Sequence, residues 1–334
     1  MTTAISSELE RVLARGSFCH VATSTALGPH VTPMVYAFTG GRLWVTTARG
    51  SVKAGAWRRD DRVAGLVQDG GTALSFTGRV RTFDALDPST WVRSLREGPT
   101  LALATARFTT KNARFFAGYA VDARHVPLAW TPPGRVFAEL SIERAALIED
   151  GAVIRSRGAW PGTVPSLERF RAVRAGDDPL HRLPPDVAEA LGRRGNAVLA
   201  VEGHGGVVVV PAPWTISGAA LYAAPSASVL ALADLRAPVA RAALGIDRPS
   251  SWRAREMIGA MVRSTAQVYV VDRLVTGARS ASLVIAAARA EPSAEPRSRR
   301  DARPDAEQGA ALVGLSPDRV VWWRGWSSGT VIAA

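Results

Sequence analysis

The chain repeats itself. Aligning Leu13-Ala14-Arg15-Gly16 with Leu191-Gly192-Arg193-Arg194 gives an offset of 178 residues. Without a gap, Pro33 then falls on Pro211, Tyr36 on Trp214, Gly40 on Gly218, Leu43 on Leu221 and Trp44 on Tyr222. The ends match in the same order: Leu140-Ser-Ile-Glu143-Arg144 with Leu315-Ser-Pro-Asp318-Arg319, and Arg157-Gly-Ala-Trp160-Pro-Gly with Arg324-Gly-Trp326-Ser-Ser-Gly. Alternating apolar residues align by chance, but matched ends in matched order do not, so the chain reads as two copies of one folding unit. Arg62-Val63-Ala64 is set against Pro238-Val239-Ala240, two residues out of register.

The first copy carries the chemistry. His30 to Phe38, a Gly40-Gly41 turn and Leu43 to Thr47 form two alternating apolar runs around a glycine pair, the pattern of a hairpin. The second run ends in Thr46-Thr47-Ala48-Arg49-Gly50-Ser51-Val52-Lys53, where a short helix over about 51–59 begins. Hydroxyls, an arginine and a lysine at a strand end form a phosphate seat, which implies a phosphorylated ligand. Taken alone, Arg49, Ser51 and Lys53 can equally cap a helix or pair with surface acids. In the second copy the gapless counterpart is Ala224-Pro225-Ser226-Ala227-Ser228-Val229-Leu230-Ala231, so Arg49 and Lys53 fall on Ala227 and Ala231 and the second seat reads as lost.

Gly28-Pro-His-Val-Thr32-Pro33-Met-Val35, Thr46 to Lys53 and Trp57-Arg-Arg-Asp-Asp-Arg-Val63 resemble the flavin-binding split barrels of the pyridoxamine 5′-phosphate oxidase-like superfamily. The resemblance covers residues 5–85 and, more loosely, 135–163. It implies a mainly β fold with helices: two tandem split β-barrels forming an intramolecular pseudo-dimer. It also implies FMN or the deazaflavin coenzyme F-420 between the barrels, and a flavin-dependent oxidoreductase acting on a small molecule. Its implied cofactor residues are Thr32, Pro33 and Val35 along the ring, Thr46, Thr47, Arg49, Ser51 and Lys53 at the phosphate, and Gln68. Gly55-Ala56 departs from the Arg-Asn that relatives often carry.

Trp323, Arg324 and Trp326 have two readings. They pack under the second barrel, or they cover the ring bound by the first. Haem ligation by His30 or His125 is a further alternative, as is a non-enzymatic binding protein or a scaffold that has lost its site. The five histidines show no metal-ligand spacing, and no nucleophile elbow or Walker loop appears. No catalytic acid or base is singled out.

Charge and cysteine content bound the remaining classes. The net charge of +12 suggests nucleic acid, but only Lys53 and Lys111 of the 41 basic residues are lysines and the arginines are scattered, so codon bias accounts for much of it. A single cysteine, Cys19, excludes an internal disulfide and fits a reducing cytoplasm; its apolar strand context makes it a packing residue. Neither a signal peptide nor a membrane-length apolar run is present, so no membrane partner is expected. The expected organisation is a first barrel over 1–163, a linker over 164–185 with a short helix at Ser166 to Val173, and a degenerate second barrel over 186–334 with a flexible loop near 290–309. Within the first barrel, strands are expected near 17–24, 30–38, 42–47, 62–68, 73–83, 135–142, 145–149 and 152–157. Helices are expected at Ile5 to Ala14 and near 88–97. The Gly203-His-Gly-Gly206 run is a hairpin turn.

Overall fold

A computed structural model describes residues 7–121, 134–160, 162, 164–167, 169–170, 178–249, 256–271, 278–289 and 310–332. The expected loop near 290–309 and His125 lie outside them.

The first half begins with α1 (Ser7–Arg15), whose Leu9, Val12 and Leu13 close one end of the core. Then come β1 (Phe18–Thr25), β2 (Gly28–Thr39), β3 (Arg42–Ala48), α2 (Val52–Trp57), β4 (Arg62–Asp69) and β5 (Thr72–Phe83). Three helices follow, α3 (Trp91–Arg96), α4 (Gly98–Lys111) and α5 (Ala113–Val121), and then the long β6 (Arg135–Glu149) and β7 (Ala152–Arg157). The strands pair antiparallel in the order β3-β2-β1-β4-β5-β6, and β3 pairs again with β6, so the sheet closes into a six-stranded barrel with β7 attached to β6.

The second half is α6 (Pro185–Leu191), β8 (Arg194–Gly203), β9 (Gly206–Ser217), β10 (Ala220–Ala223), α7 (Ala227–Leu230), β11 (Val239–Arg248), β12 (Ile258–Val271), α8 (Ala278–Arg289), β13 (Ala310–Leu315), β14 (Arg319–Arg324) and β15 (Ser327–Ile332). It repeats the order as β10-β9-β8-β11-β12-β13, closed by β10 against β13. The chain is thus mainly β with two tandem barrels.

Register confirms the duplication residue by residue. Cys19 faces Met34 and Ala197 faces Ala212; Tyr36 faces Val45 and Trp214 faces Ala223. The first matched end also holds. Leu140 faces Val80 and Arg144 faces Thr77 across a bulge at Glu143; Leu315 faces Ala266 and Arg319 faces Arg263 across the break between β13 and β14. The second does not: Arg324 faces Ile258 at the end of β14 as Glu149 faces Thr72, so the counterpart of Arg157 at the end of β7 lies at the end of β15 and not at Arg324. Gly78 permits the first bulge, since a Cβ there would lie 1.9 Å from the Ser141 carbonyl oxygen.

The middle of the expected alignment is corrected. Ala22 pairs with Ala64, as Ala200 pairs with Ala243, so Arg62-Val63-Ala64 corresponds to Arg241-Ala242-Ala243 and not to Pro238-Val239-Ala240. The inserted short 3-10 turn at Ala231–Ala233 shifts the register. The expected strands 135–142 and 145–149 are one bulged strand, β6, and the helix near 88–97 is a 3-10 turn (Pro88–Thr90) followed by α3. Residues 166, 167, 169 and 170 are not helical: Leu167 donates to the Val268 carbonyl and the Ser166 hydroxyl accepts from Val270, so this segment runs beside β12.

Strands β1 and β4 are apolar on both faces because both faces are covered. Val21 and Val67 point into the first barrel, while Ala22 and Leu66 point at the second half. Ala22, Val31, Ala64, Leu66, Ala73, Ala146 and Ile148 join one cluster with Val198, Ala200, Val208 and Leu244 of the second half. Polar links cross the same surface. His20 bonds Asp247 at 2.9 Å, the Ser24 hydroxyl donates to Glu202 at 2.6 Å, and the Ser75 hydroxyl donates to the Val209 carbonyl at 2.7 Å. The two barrels therefore pack as an intramolecular pseudo-dimer. Among the described residues no helix is long and apolar enough to cross a membrane.

Candidate functional site

The strand end that carries the phosphate-type cluster lies in a cavity of about 240 Å³. Barrel closure makes it: β2 supplies His30, Thr32, Pro33, Met34 and Val35, β3 supplies Thr46, Thr47 and Ala48, and the start of α2 supplies Ser51 and Lys53. Seven of the sequence-derived site residues thus share one wall-to-wall space. Phe115 on α5, Arg135 at the start of β6 and Met257 of the second half complete the lining.

Lys53 dominates its electrostatics. The side chain is 3% exposed, and its amine donates to the hydroxyl of Thr32 and, at 3.5 Å, to the Thr32 carbonyl. No carboxylate pairs with it among the described residues. Burial therefore pulls the amine from the ordinary lysine value down to about 7. Ser51 spends its oxygen on the Ala54 amide (3.1 Å) as the cap of α2 and also bonds the Thr47 hydroxyl (2.9 Å). Ser51 therefore caps α2, and its neighbours line the cavity.

His30 accepts a hydrogen bond at Nδ1 from Arg263 of the second half, 2.7 Å away. Burial, with Lys53 and Arg263 nearby, pushes it down to about 2, so the imidazole is neutral. Arg135 was not found from the sequence. Its guanidinium donates to the Thr46 hydroxyl (2.9 Å) and carbonyl (2.8 Å). Only the β3 to β6 pairing, with Ala48 opposite Arg135, brings this second cation to the cavity across 87 residues of chain. Phe115 arrives by the same route, through the helices between β5 and β6. Cys19 is fully buried and pushed up to about 12 by that burial, so its thiol is a packing group.

Other expected site residues sit elsewhere. Arg49 pairs with the buried Asp84, with Arg58 at 3.9 Å from the same carboxylate, and does not line the cavity. Trp323 lies on Gly259, where a Cβ would be 2.3 Å from its ring; Trp322 packs likewise on Gly329. Arg324 pairs with Asp186 of α6. Trp326, half-buried, follows the turn whose Gly325 amide donates to the Met257 carbonyl at 2.8 Å. The tryptophan-rich end thus touches the cavity's lining through Met257, and none of its three singled-out side chains lines the space.

Gln68 lines a different cavity, of about 550 Å³, which is the pseudo-symmetric mate of the first. Pro211 and Pro213 stand where Pro33 and Val35 stand, Ser226 caps α7 as Ser51 caps α2, and Ala310 takes the place of Arg135. The second half is three residues shorter between strand and cap. Arg49 therefore has no counterpart and Lys53 corresponds to Ser228, which corrects the assignment to Ala227 and Ala231. A third space of about 540 Å³ between the halves includes charges that pair with each other, among them Arg62 with Asp60 and Arg79 with Glu143. Among the described residues no group of three His, Cys, Asp or Glu can hold a metal.

Residues 6–80 match the sequence model of the family described as pyridoxamine 5′-phosphate oxidase. Similar solved structures include a pyridoxamine 5′-phosphate oxidase-related, FMN-binding protein from Nostoc punctiforme, 15% identical, covering 44% of this chain and 85% of that one at a TM-score of 0.33. A conserved hypothetical protein from Mycobacterium tuberculosis is 22% identical over 47% of this chain and 94% of its own, with a TM-score of 0.32. An F420 reductase is 20% identical over 43% and 98%, with a TM-score of 0.28. No curated protein matches the chain. The matched residues take in the stretch from His30 to Asp69 and lie within the first barrel.

Proposed function

We propose that the chain binds a phosphorylated flavin, FMN or the deazaflavin F-420, in the first-barrel cavity and acts as a flavin-dependent oxidoreductase on a small molecule. The observation that carries this reading is Lys53: a fully buried amine without a carboxylate partner among the described residues, beside Thr46, Thr47, Ser51 and Arg135. Two cations and three hydroxyls suit a phosphate dianion.

The cavity's 240 Å³ is below the ~300–1,000 Å³ of typical ligand pockets. Lys53 folded onto Thr32 occupies part of it. An anion at the strand end draws the amine off Thr32, returns a proton to Nζ and opens the floor. Thr32, Pro33 and Val35, half-buried in β2, then offer an edge along which a planar ring lies. Phe115 and Met257 shield that edge from water. When bound, the flavin supplies the hydride or electron chemistry, while the protein sets its position and the shape of the space beside it. Haem ligation by His30 is disfavoured by the hydrogen bond its Nδ1 already accepts from Arg263.

The test is spectroscopic. Purified protein incubated with FMN or F-420 and desalted is expected to retain a flavin or deazaflavin absorption band, and to lose it in Lys53→Ala. A chain that ignores both cofactors, or that shows a Soret band with haem instead, removes the proposal.

A further inference from the structure

The second cavity is the larger one, and the reason lies in two local differences. At the position of the long, buried Lys53 stands Ser228, which is short and exposed. The three residues that carry Arg49 in the first half are missing in the second. Removing a buried lysine and a strand end takes away both the fill and the charge of a phosphate seat. What remains is a frame related to the first by the pseudo-twofold, at about 550 Å³, well inside the range of small-molecule pockets.

Its chemistry is defined by neutral hydrogen-bonding groups on apolar walls. Gln68 and Thr72 come from the first half, and Asn196, Ser226 and Ser228 from the second. Amide and hydroxyl side chains both donate and accept, so they match the edge of a ring carrying imide or amide groups. Pro211, Pro213 and Pro225 give flat apolar faces. Two charged side chains of opposite sign reach it, the exposed Asp150 and Arg289, whose guanidinium is held below the ordinary arginine value by partial burial, and no cation stands at the Lys53 position. Both halves build the walls about equally, whereas the first cavity takes a single described residue, Met257, from its neighbour.

We infer that this second cavity is a binding site for an uncharged, phosphate-free heterocycle of amide-edged type, distinct from the phosphorylated cofactor of the first barrel. The inference rests on the flavin reading only for its choice of probe, riboflavin, which keeps an amide-edged ring system and lacks the phosphate. Ser228 is exposed, so Ser228→Trp fills the cavity without disturbing a core.

The experiment titrates riboflavin and FMN into the full chain, Lys53→Met and Ser228→Trp, with stoichiometry from equilibrium dialysis. Riboflavin is expected to bind once per chain, unchanged within about twofold in Lys53→Met and weakened at least tenfold in Ser228→Trp. FMN is expected to show the opposite pattern. Riboflavin binding that vanishes in Lys53→Met and survives Ser228→Trp places it in the first cavity and overturns the second site. No riboflavin binding to any of the three chains overturns it as well. If riboflavin behaves as expected while FMN ignores the wild-type chain, the phosphorylated-cofactor reading falls and the second site stands.

Discussion

The buried amine of Lys53 donates to the hydroxyl of Thr32, across the strand edge that faces the first cavity. A lysine held this way is a stored cation. With its value pulled down to about 7, it is only partly charged at neutral pH when alone and fully charged when an anion arrives.

FMN affinity is therefore expected to depend on one proton. Above pH 7 the amine must take up a proton before it can pair with the phosphate, so binding weakens by about tenfold per pH unit. Calorimetry at pH 8 in buffers of different ionisation enthalpy is expected to show close to one proton absorbed per FMN. Lys53→Met removes the uptake and loses roughly 1.5–3 kcal/mol of binding. Affinity that is flat from pH 7 to 9 contradicts the coupling.

Stability of the ligand-free chain should move the other way. Between about pH 7 and the ordinary lysine value, unfolded Lys53 holds a proton that the folded residue lacks, so stability rises with pH by about 1.4 kcal/mol per unit. Lys111, lowered to about 8 by burial, adds a smaller increment over the upper part of the window. Urea melts at pH 7, 8 and 9 read the slope. Lys53→Met is expected to flatten it and to raise the midpoint at pH 7.

His20 and Asp247 tie the halves together from positions 5% to 9% exposed at their side chains. Replacing His20 with Ala strands a buried carboxylate and should cost about 3–5 kcal/mol. Asp247→Ala in the same chain should recover much of that loss, because the stranded charge goes with it. Equal, additive losses in urea melts of the two single variants and the double variant show that the pair does not act as a unit.

Gly259→Ala puts a methyl 2.3 Å from the Trp323 ring and 2.8 Å from the Asp247 Cβ. A loss of about 1–3 kcal/mol is expected from overpacking. Adding Trp323→Ala relieves the clash and so should cost less than Trp323→Ala costs in the wild-type background. A Gly259→Ala chain as stable as wild type shows that the tryptophan moves freely and is not a packing group.

Sequence pattern made the hairpin from Gly28 to Ala48, the register of both halves there, and the matched end at Leu140 and Leu315 legible, because turn glycines and period-two burial are local signals. It set Arg157 against Arg324, whose register counterpart is Glu149, because an Arg-Gly run followed by Trp repeats by composition alone. It missed the three-residue deletion before Ser226, since a gapless alignment anchored on Pro211 and Tyr222 carries Arg49 and Lys53 past the true cap. Arg135 and Phe115 were out of reach for another reason: closure of β3 on β6 brings them to the cavity, and nothing local to either residue announces it. Arg49 read as a ligand because its partner, Asp84, lies 35 residues away. Gln68 was placed at the right kind of cavity but the wrong copy, because a pseudo-twofold sends the end of β4 to the opposite half's site.

In a pair of identical subunits every substitution is written twice, and both cavities must drift in step. Here one chain holds Lys53 and Ser228 at corresponding positions, so each is free to change while the other stays fixed. A single gene can then hold one cavity constant and let its twin wander toward a different molecule. The shared hydrophobic seam that joins Leu66 to Val208 and Leu244 meanwhile keeps both in register at any dilution.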